Sequence, residues 1–467
     1  MSKKDTGKKS MAARIRSAIR RRMNDFRYKM IISKKADRMI AEMEEGVRKA
    51  RSMSEEEHRK LSEELREKEA NLKASDSEVY KSYRRRLRSK YLKDVIPSVY
   101  AEAAKNPVEE KVVFMENGTF PAPTVDLLYA ELLRQGKYSI KTFSLMIRKV
   151  SDVEYFMNAV DYIREAATAK AVFITTANRL MSQFDLRPET RLIQLWHGVG
   201  MFKKVGFSTL DSEGFGRSAK SREVYNDYRN YTDVTVAAEE QIWTFEDAFH
   251  ISRDTGIFKP IGISRTDVFF DEEYRQERRR RLDEAFPECK GKKIILYAPT
   301  FRGRVAQATA PDELDIKKMA EKLSDDYVLL IRHHEVSKVF PKIPEEVEGS
   351  FAFDMNRNNI MSTDGLLSIA DILITDYSSL GFEFAVMEKP MVFFAYDLEE
   401  YLDTRGMYYD YSEITPGPVC KTTEEVADYI ADIDNRFDRN AVREFREKYV
   451  GACDGHATER TIALIEQ

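Results

Sequence analysis

Cysteine is scarce in this 467-residue chain, with three residues, Cys289, Cys420 and Cys453, far apart and odd in number. Their spacing excludes a disulfide framework and a cysteine-based metal site, and it fits a reducing compartment. Each is expected to be a small buried hydrophobe. No apolar run reaches the roughly 20 residues needed to cross a bilayer. No short apolar segment follows the basic start, so a secretory signal is not expected. Large net charge is also missing, at −3 overall. What is present is enough for two or three domains with real cores, since 42% of the residues are hydrophobic.

The small net charge hides an asymmetry. Residues 1–38 carry fourteen Lys/Arg against three Asp, a net +11, which leaves the remainder near −14. A basic arm on an acidic body points to an anionic partner, a membrane surface or a nucleic acid. Met11, Ile15, Ala18, Ile19, Met23, Phe26 and Met30 recur at helical spacing, with Arg14, Arg16, Arg20, Arg21, Arg22 and Arg27 between them. Such a helix suits a lipid headgroup layer. A solvated tail and a helix packed on the body are the competing readings. No aromatic or Gly-rich RNA motif accompanies the charge, so nucleic acid is not the expected partner.

Residues 36–95 are charge-dense and almost free of Gly and Pro. Ser54-Glu55-Glu56-Glu57 reads as a capping box, and Leu61, Leu65 and Leu72 form a thin apolar seam. Two or three helices are expected here, serving as a spacer, a partner face or a surface for a homo-oligomer.

From about residue 108 short β-type runs alternate with helical stretches. The first series is Val112–Met115, Ser144–Ile147, Ala171–Thr175, Leu192–Trp196 and Val234–Ala237. The second is Ile294–Tyr297, Val328–Ile331, Ile372–Thr375 and Val392–Phe394. Strands separated by helices imply parallel sheets. The expected fold is α/β of GT-B type, two facing Rossmann-like domains with an N-terminal helical extension. The boundaries are a basic arm over 1–38, a charged helical extension over 39–107, and domains over 108–262 and 263–467. Ligands of such sheets sit beyond the carboxyl ends of the strands.

Several polar segments fall at those ends. In Thr375-Asp376-Tyr377-Ser378-Ser379 a strand stops and a helix is expected to open. Free N–H groups and a positive dipole end there suit phosphate, although Ser and Asp also cap helices for purely local reasons. His197 follows the strand ending at Trp196, beside Gly198, with Lys203 and Lys204 close behind. A histidine is a natural base near neutral pH, and the lysines would draw an anion. Thr300 and Arg302 follow Ala298-Pro299, and Arg302 offers a bidentate fork for phosphate. Arg332, His333 and His334 end the next strand. Because successive residues alternate faces, one histidine of the pair is expected in the cleft. No carboxylate or cysteine stands at ligand spacing from them, so no metal site is expected. Arg265 is a looser member of the set.

Taken in order, Trp196-His197-Gly198, Lys203-Lys204, Ala298-Pro299-Thr300, Arg332-x-His334 and Thr375-Asp376-Tyr377-Ser378-Ser379 resemble the CDP-glycerol glycerophosphotransferases of bacterial teichoic-acid assembly. Phe394-Ala395-Tyr396-Asp397, Tyr401, Arg405-Gly406, Pro416-Gly417-Pro418 and Asp454-Gly455 extend the resemblance over roughly residues 110–465. Glu383 stands where the family often has Asp, and Glu335 follows His334 where Pro is usual. The resemblance implies transfer of a polyol phosphate from a CDP-activated donor to an acceptor hydroxyl, with release of CMP. It makes His197 the base and His334 a second essential histidine. Ser378 and Ser379 would hold the donor pyrophosphate, with Thr300, Arg302, Arg332, Thr375 and Asp376 around it. It also implies a lipid-linked glycan or polyol-phosphate acceptor and a peripheral place on the cytoplasmic face of the membrane. No cofactor is expected, and Mg²⁺ recruitment by Asp376 stays open. The alternatives are a GT-B glycosyltransferase using a nucleotide-sugar donor and a non-enzymatic membrane scaffold.

Overall fold

Fully buried apolar runs dominate the strands of this computed structural model, which describes residues 5–146, 149–209, 226–303, 307–404 and 406–467. Such runs belong in parallel sheets covered on both faces, and two six-stranded sheets form. The first has β1 (Glu109–Glu116), β2 (Ser139–Ser144), β3 (Ala169–Ile174), β4 (Arg191–Gln194), β5 (Asp233–Thr235) and β6 (Phe258–Lys259). Its order is β2-β1-β3-β4-β5-β6, parallel throughout. The second has β7 (Lys293–Tyr297), β8 (Tyr327–Ile331), β9 (Ala352–Asp354), β10 (Ile372–Thr375), β11 (Met391–Phe394) and β12 (Val419–Cys420). Its order is β12-β11-β10-β7-β8-β9, again parallel. The strand order reverses between β1 and β3 in one sheet and between β7 and β10 in the other. Those reversals are where open α/β sheets leave a ligand crevice.

Edge strands depart from the sequence reading. The run expected at Ser144–Ile147 is instead β2 at Ser139–Ser144, and Ile147 lies outside the described residues. β2 is an edge strand with alternating exposure, so a search for continuous apolar runs passes over it. The two- and three-residue strands β6, β9 and β12 escape for the same reason.

The helices before β1 are α1 (Asp5–Ala50), α2 (Glu55–Ser75), α3 (Ser77–Ser89) and, after a π-helical turn at Lys90–Val95, α4 (Ile96–Ala103). The boundary drawn at residue 38 falls inside α1, so the arm and the first extension helix are one 46-residue helix. The side chains of Met11, Ile15, Ala18 and Ile19, like those of Arg14, Arg16, Arg20 and Arg21, lie outside the described part. Glu57 accepts from Ser54 N at 3.1 Å, as the capping-box reading requires. The first unit also contains α5 (Asp126–Gln135), which ends on Gly136 at φ 64°, and α6 (Asp152–Ala166).

Met43, Leu65, Tyr83, Leu87 and Tyr91 from the leading helices share one buried cluster with Val113 of β1 and Phe156 and Tyr162 of α6. The seam expected to face a partner is therefore largely closed within the chain, with Leu61 and Leu72 partly buried against it. The chain's end also returns to the first sheet. Leu464 and Ile465 pack with Val112, Phe114, Phe173 and Ile193, and Glu466 pairs with Lys170 at 2.7 Å.

Burial raises the Glu69 carboxyl to about 7, with Asp152 adding repulsion. Glu69 Oε2 accepts from Asp152 N at 2.9 Å, while Oε1 has no partner. A carboxyl whose pKa rises on folding costs stability as pH climbs through that window. Glu69→Gln is expected to raise the thermal midpoint at pH 8, by order 1–3 kcal/mol of stability, and to change little at pH 4.5. Thermal scans at both pH values check it.

Candidate active site

The carboxyl ends of β7 and β10 meet at the second sheet's reversal, and a closed polar network fills the space between them. Asp376, fully buried, accepts from Thr300 N at 2.8 Å and Tyr377 N at 2.6 Å through Oδ1. Its Oδ2 receives Arg302 Nη1 at 2.9 Å. Arg302 also grips Asp397 with Nε at 2.6 Å and Nη2 at 2.9 Å, and donates to Thr300 O at 2.7 Å. Tyr377, Tyr396 and Tyr401 place their rings within 5.2–5.5 Å of the guanidinium. The Tyr377 hydroxyl donates to Asp397 at 2.9 Å.

This geometry gives three of the expected site residues protein partners. Arg302, read as a phosphate fork, has its fork on two carboxylates. Asp376, for which Mg²⁺ recruitment stayed open, has both oxygens engaged by protein donors. Thr375 is buried, with its hydroxyl on Ala298 O at 2.8 Å. These residues brace the loop that carries Ser378 and Ser379. Arg302→Ala would strand Asp376 and Asp397 without a counter-charge, which costs about 3–5 kcal/mol when an ion pair is buried. The expected result is a lowered thermal midpoint, larger than any change in donor KM at a temperature where the variant stays folded. Asp397 was quoted in the sequence only as part of a motif. Its role depends on a partner 95 positions away.

Ser378 and Ser379 stand between β10 and the helix Leu380–Ala385, half-buried, and Ser378 Oγ accepts from Leu380 N at 3.3 Å. The helix is only six residues long, so the hydroxyls and local N–H groups matter more here than a macrodipole. Thr300 Oγ1, at the same reversal, is buried with no hydrogen-bond partner.

His197 reaches this region from the first sheet. Trp196, after β4, turns the chain with φ 59°, and the His197 ring lies 4.4 Å from the indole. The next residues run against the second unit. A Cβ on Gly198 would sit 3.5 Å from Ser379 Oγ, and one on Gly200 would lie 2.6 Å from the Phe382 ring. Only glycine permits the second approach. Further along, Lys204 N donates to Gly406 O at 2.9 Å and Tyr408 N to Phe202 O at 3.1 Å. Lys203 Nζ lies 5.5 Å from the Tyr401 ring centroid, and the exposed Lys204 packs its stem on Gly406. Arg405 lies outside the described residues.

The two histidines have opposite tautomers. His197 Nδ1 faces Thr175 O at 3.2 Å, and a carbonyl can only accept. The proton is therefore on Nδ1, and Nε2 keeps a lone pair. His334 Nδ1 accepts from Val336 N at 3.2 Å, so its proton is on Nε2. Burial lowers the pKa of His197, and Arg265 adds to the effect while the Thr175 carbonyl opposes it. Burial also lowers that of His334, opposed by Glu335 and reinforced by Lys203. Both are neutral at pH 7. One is an acceptor and the other a donor.

Arg332 and His333 turn away from this arrangement. Arg332 Nη1 donates to Met355 O at 2.6 Å and to Asn359 at 3.2 Å. His333 is buried at the other face, with its pKa lowered to about 4 by burial. Arg265, only loosely flagged in the sequence, is central. Its Nη1 donates to His197 O at 3.2 Å, Nη2 pairs with Asp364, and Glu383 lies 3.8 Å away.

Residues 127–467 match the family model described as CDP-glycerol:poly(glycerophosphate) glycerophosphotransferase. The chain is 33% identical over 359 residues to the teichoic acid poly(ribitol-phosphate) polymerase of Bacillus spizizenii, covering 76% of this chain and 56% of that protein. It is 35% identical over 285 residues to the teichoic acid ribitol-phosphate primase of the same organism, covering 60% of this chain and 70% of the primase. The chain spans 56–64% of the length of the three ribitol-phosphate polymerases it matches. A solved structure of the wall teichoic acid polymerase TagF overlays with a TM-score of 0.65 at 22% identity, covering 82% of this chain and 93% of that one, so the two share a fold. With the family model covering most of its length, the chain belongs to the CDP-glycerol:poly(glycerophosphate) glycerophosphotransferase family.

Proposed function

We propose that this protein transfers a polyol phosphate, glycerol or ribitol, from a CDP-activated donor to a hydroxyl of a membrane-linked acceptor, releasing CMP. The observation that carries this reading is the pair of neutral histidines with opposite tautomers. His197 Nε2 takes the proton of the acceptor hydroxyl. The freed oxygen attacks the polyol-bearing phosphorus, and the bond to the CMP phosphate breaks. His334 Nε2–H donates to the charge that builds on the departing side, with Ser378 and Ser379 on the diphosphate. Phosphoryl transfer rests mainly on positioning and charge stabilisation, which this set supplies. The two sheets, each with its carboxyl ends at the shared region, form a GT-B-type pair with acceptor and donor halves. Relatives named as ribitol-phosphate polymerase and glycerol-phosphate primase support the substrate class.

Incubation with CDP-glycerol, CDP-ribitol and UDP-sugars, with a synthetic lipid acceptor, tests the reading. CMP release with growth of the acceptor by one or more polyol phosphates is expected. Release of UDP in place of CMP would overturn it.

The protein works from the cytoplasmic face of the membrane, held peripherally by α1. No helix among the described residues is long and apolar enough to cross a membrane. α1 exposes Met23, Phe26, Met30 and Ile31 beside Arg22 and Arg27, a mixture suited to an anionic lipid surface. Phe26→Glu with Met30→Glu is expected to cut co-sedimentation with phosphatidylglycerol vesicles at least tenfold. CMP release with a water-soluble acceptor should persist. Unchanged sedimentation would remove α1 as the anchor.

A further inference from the structure

The first sheet reverses its strand order between β1 and β3, where an open α/β sheet leaves a crevice for a ligand. Glu116 ends β1, and the pairing of Met115 with Ile174 sets Thr175 opposite it on the neighbouring strand. Val112 and Phe114 share a buried cluster with Ala171 and Phe173. Glu116 and Thr175 continue that alternation, so both side chains leave the same face of the sheet. They meet there, with Thr175 Oγ1 donating to Glu116 Oε2 at 2.7 Å. The carbonyl of the same Thr175 accepts from His197 Nδ1 at 3.2 Å. Glu116 and the proposed base therefore flank one residue.

Glu116 differs from the other buried carboxylates of the first unit. Glu44, Asp152, Asp227 and Asp233 each hold a lysine or arginine at 2.6–2.8 Å. Glu154 has His58 at 3.5 Å. Glu69 has no such cation among the described residues, but it lies within the leading helices with Oε1 sealed off. Glu116 also has none, and it stands at the strand ends, 6% exposed. Its Oε1 has no protein donor among the described residues, and it is not sealed as Glu69 Oε1 is. Burial raises the pKa of this carboxyl, and the Thr175 hydroxyl opposes the shift.

A buried carboxyl without a counter-charge costs stability, and groups so placed in a cleft are candidates for function. A hydroxyl is the donor that suits it, because a carboxyl oxygen accepts whether the group is ionised or protonated. β1 and β4 lie two strand spacings apart, about 10 Å at the main chain. Two adjacent hydroxyls, each making a hydrogen bond of about 2.8 Å, can bridge the groups those strands carry.

We propose that Glu116 is a specificity-determining residue whose free carboxyl oxygen accepts from a second acceptor hydroxyl, adjacent to the one His197 deprotonates. This contact rests on the transferase reading and adds a selection rule to it. An acceptor that keeps the reacting hydroxyl but lacks its neighbour is a poor substrate.

Two soluble acceptors test the contact. Octyl glyceryl phosphate ends in a primary and a secondary hydroxyl, and octyl hydroxypropyl phosphate keeps only the primary one. With the full chain and a CDP-polyol donor, kcat/KM measured by CMP release should favour the first at least tenfold. Glu116→Ala should lose at least tenfold on the first and stay within about twofold on the second. Glu116→Gln, which keeps an acceptor oxygen, should fall between. A residue that only braced Thr175 would lower both acceptors together. Equal rates with both acceptors in the unaltered protein, or an equal loss on both in Glu116→Ala, would overturn the contact and leave the transferase reading standing. If no CDP-polyol yields CMP, calorimetry with the same two compounds decides. Binding of octyl glyceryl phosphate at least tenfold tighter than of its shortened analogue, lost in Glu116→Ala, would keep the contact and remove the transferase reading. No such difference would remove both.

Discussion

His197→Ala is expected to lower the rate of polyol-phosphate transfer by about 10²–10⁴-fold, the usual contribution of a positioned general base. The change should fall on kcat, with donor KM little altered, because the ring is proposed to act on the acceptor proton. The pH dependence supplies an independent check. The His197 pKa is lowered from the ordinary 6.5, with burial as the largest cause. The unprotonated form therefore predominates at neutral pH. kcat/KM should be flat from pH 7 upward and fall tenfold per unit once pH drops below the depressed pKa. In His197→Ala that acid limb should vanish from the residual rate. His334→Ala should also lose rate, but without removing the limb set by His197, since its proposed task is donation from Nε2. Transfer at the unaltered rate by folded His197→Ala, or an acid limb that persists in it, would end the assignment.

Arg265→Ala is expected to have the second large effect, on stability and rate together. Arg265, Asp364 and Glu383 are 12%, 8% and 2% exposed. Removing the guanidinium leaves two buried carboxylates unpaired, at about 3–5 kcal/mol for a broken buried pair. It also removes the donor that holds His197 O at 3.2 Å. The two consequences can be separated. Burial already raises the Glu383 carboxyl to about 7 even though Arg265 opposes the shift, and Glu383 Oε2 has no partner. Adding Asp364→Asn and Glu383→Gln to Arg265→Ala removes the stranded charges. That triple variant should regain most of the thermal midpoint yet keep a kcat at least tenfold low, with donor KM within about twofold. A triple variant with unaltered kcat would make the network a packing feature with no part in placing His197. The raised Glu383 pKa also means stability declines from about pH 4.5 to 7 on this group's account, and Glu383→Gln should flatten that slope.

The sequence was readable where one local property sufficed. β1, β3, β7, β8 and β10 are continuous apolar runs because both sheet faces are covered, so burial alone marks them. β2, β6, β9 and β12 lie at or near sheet edges, where exposure alternates or the strand is too short to leave a pattern. His197, His334, Ser378 and Ser379 could be placed at strand ends because strand ends follow from those runs.

What those residues do there was decided by the tertiary structure. The tautomers of His197 and His334 are set by Thr175 O and Val336 N, and only the first of these contacts comes from another strand. Arg302 has the composition of a phosphate ligand, yet Asp376 and Asp397 arrive from 74 and 95 positions away and take its fork. Periodicity and strand ends are local and survive in one dimension. The pairing of charges is a property of which distant residues meet, and only the folded chain determines that.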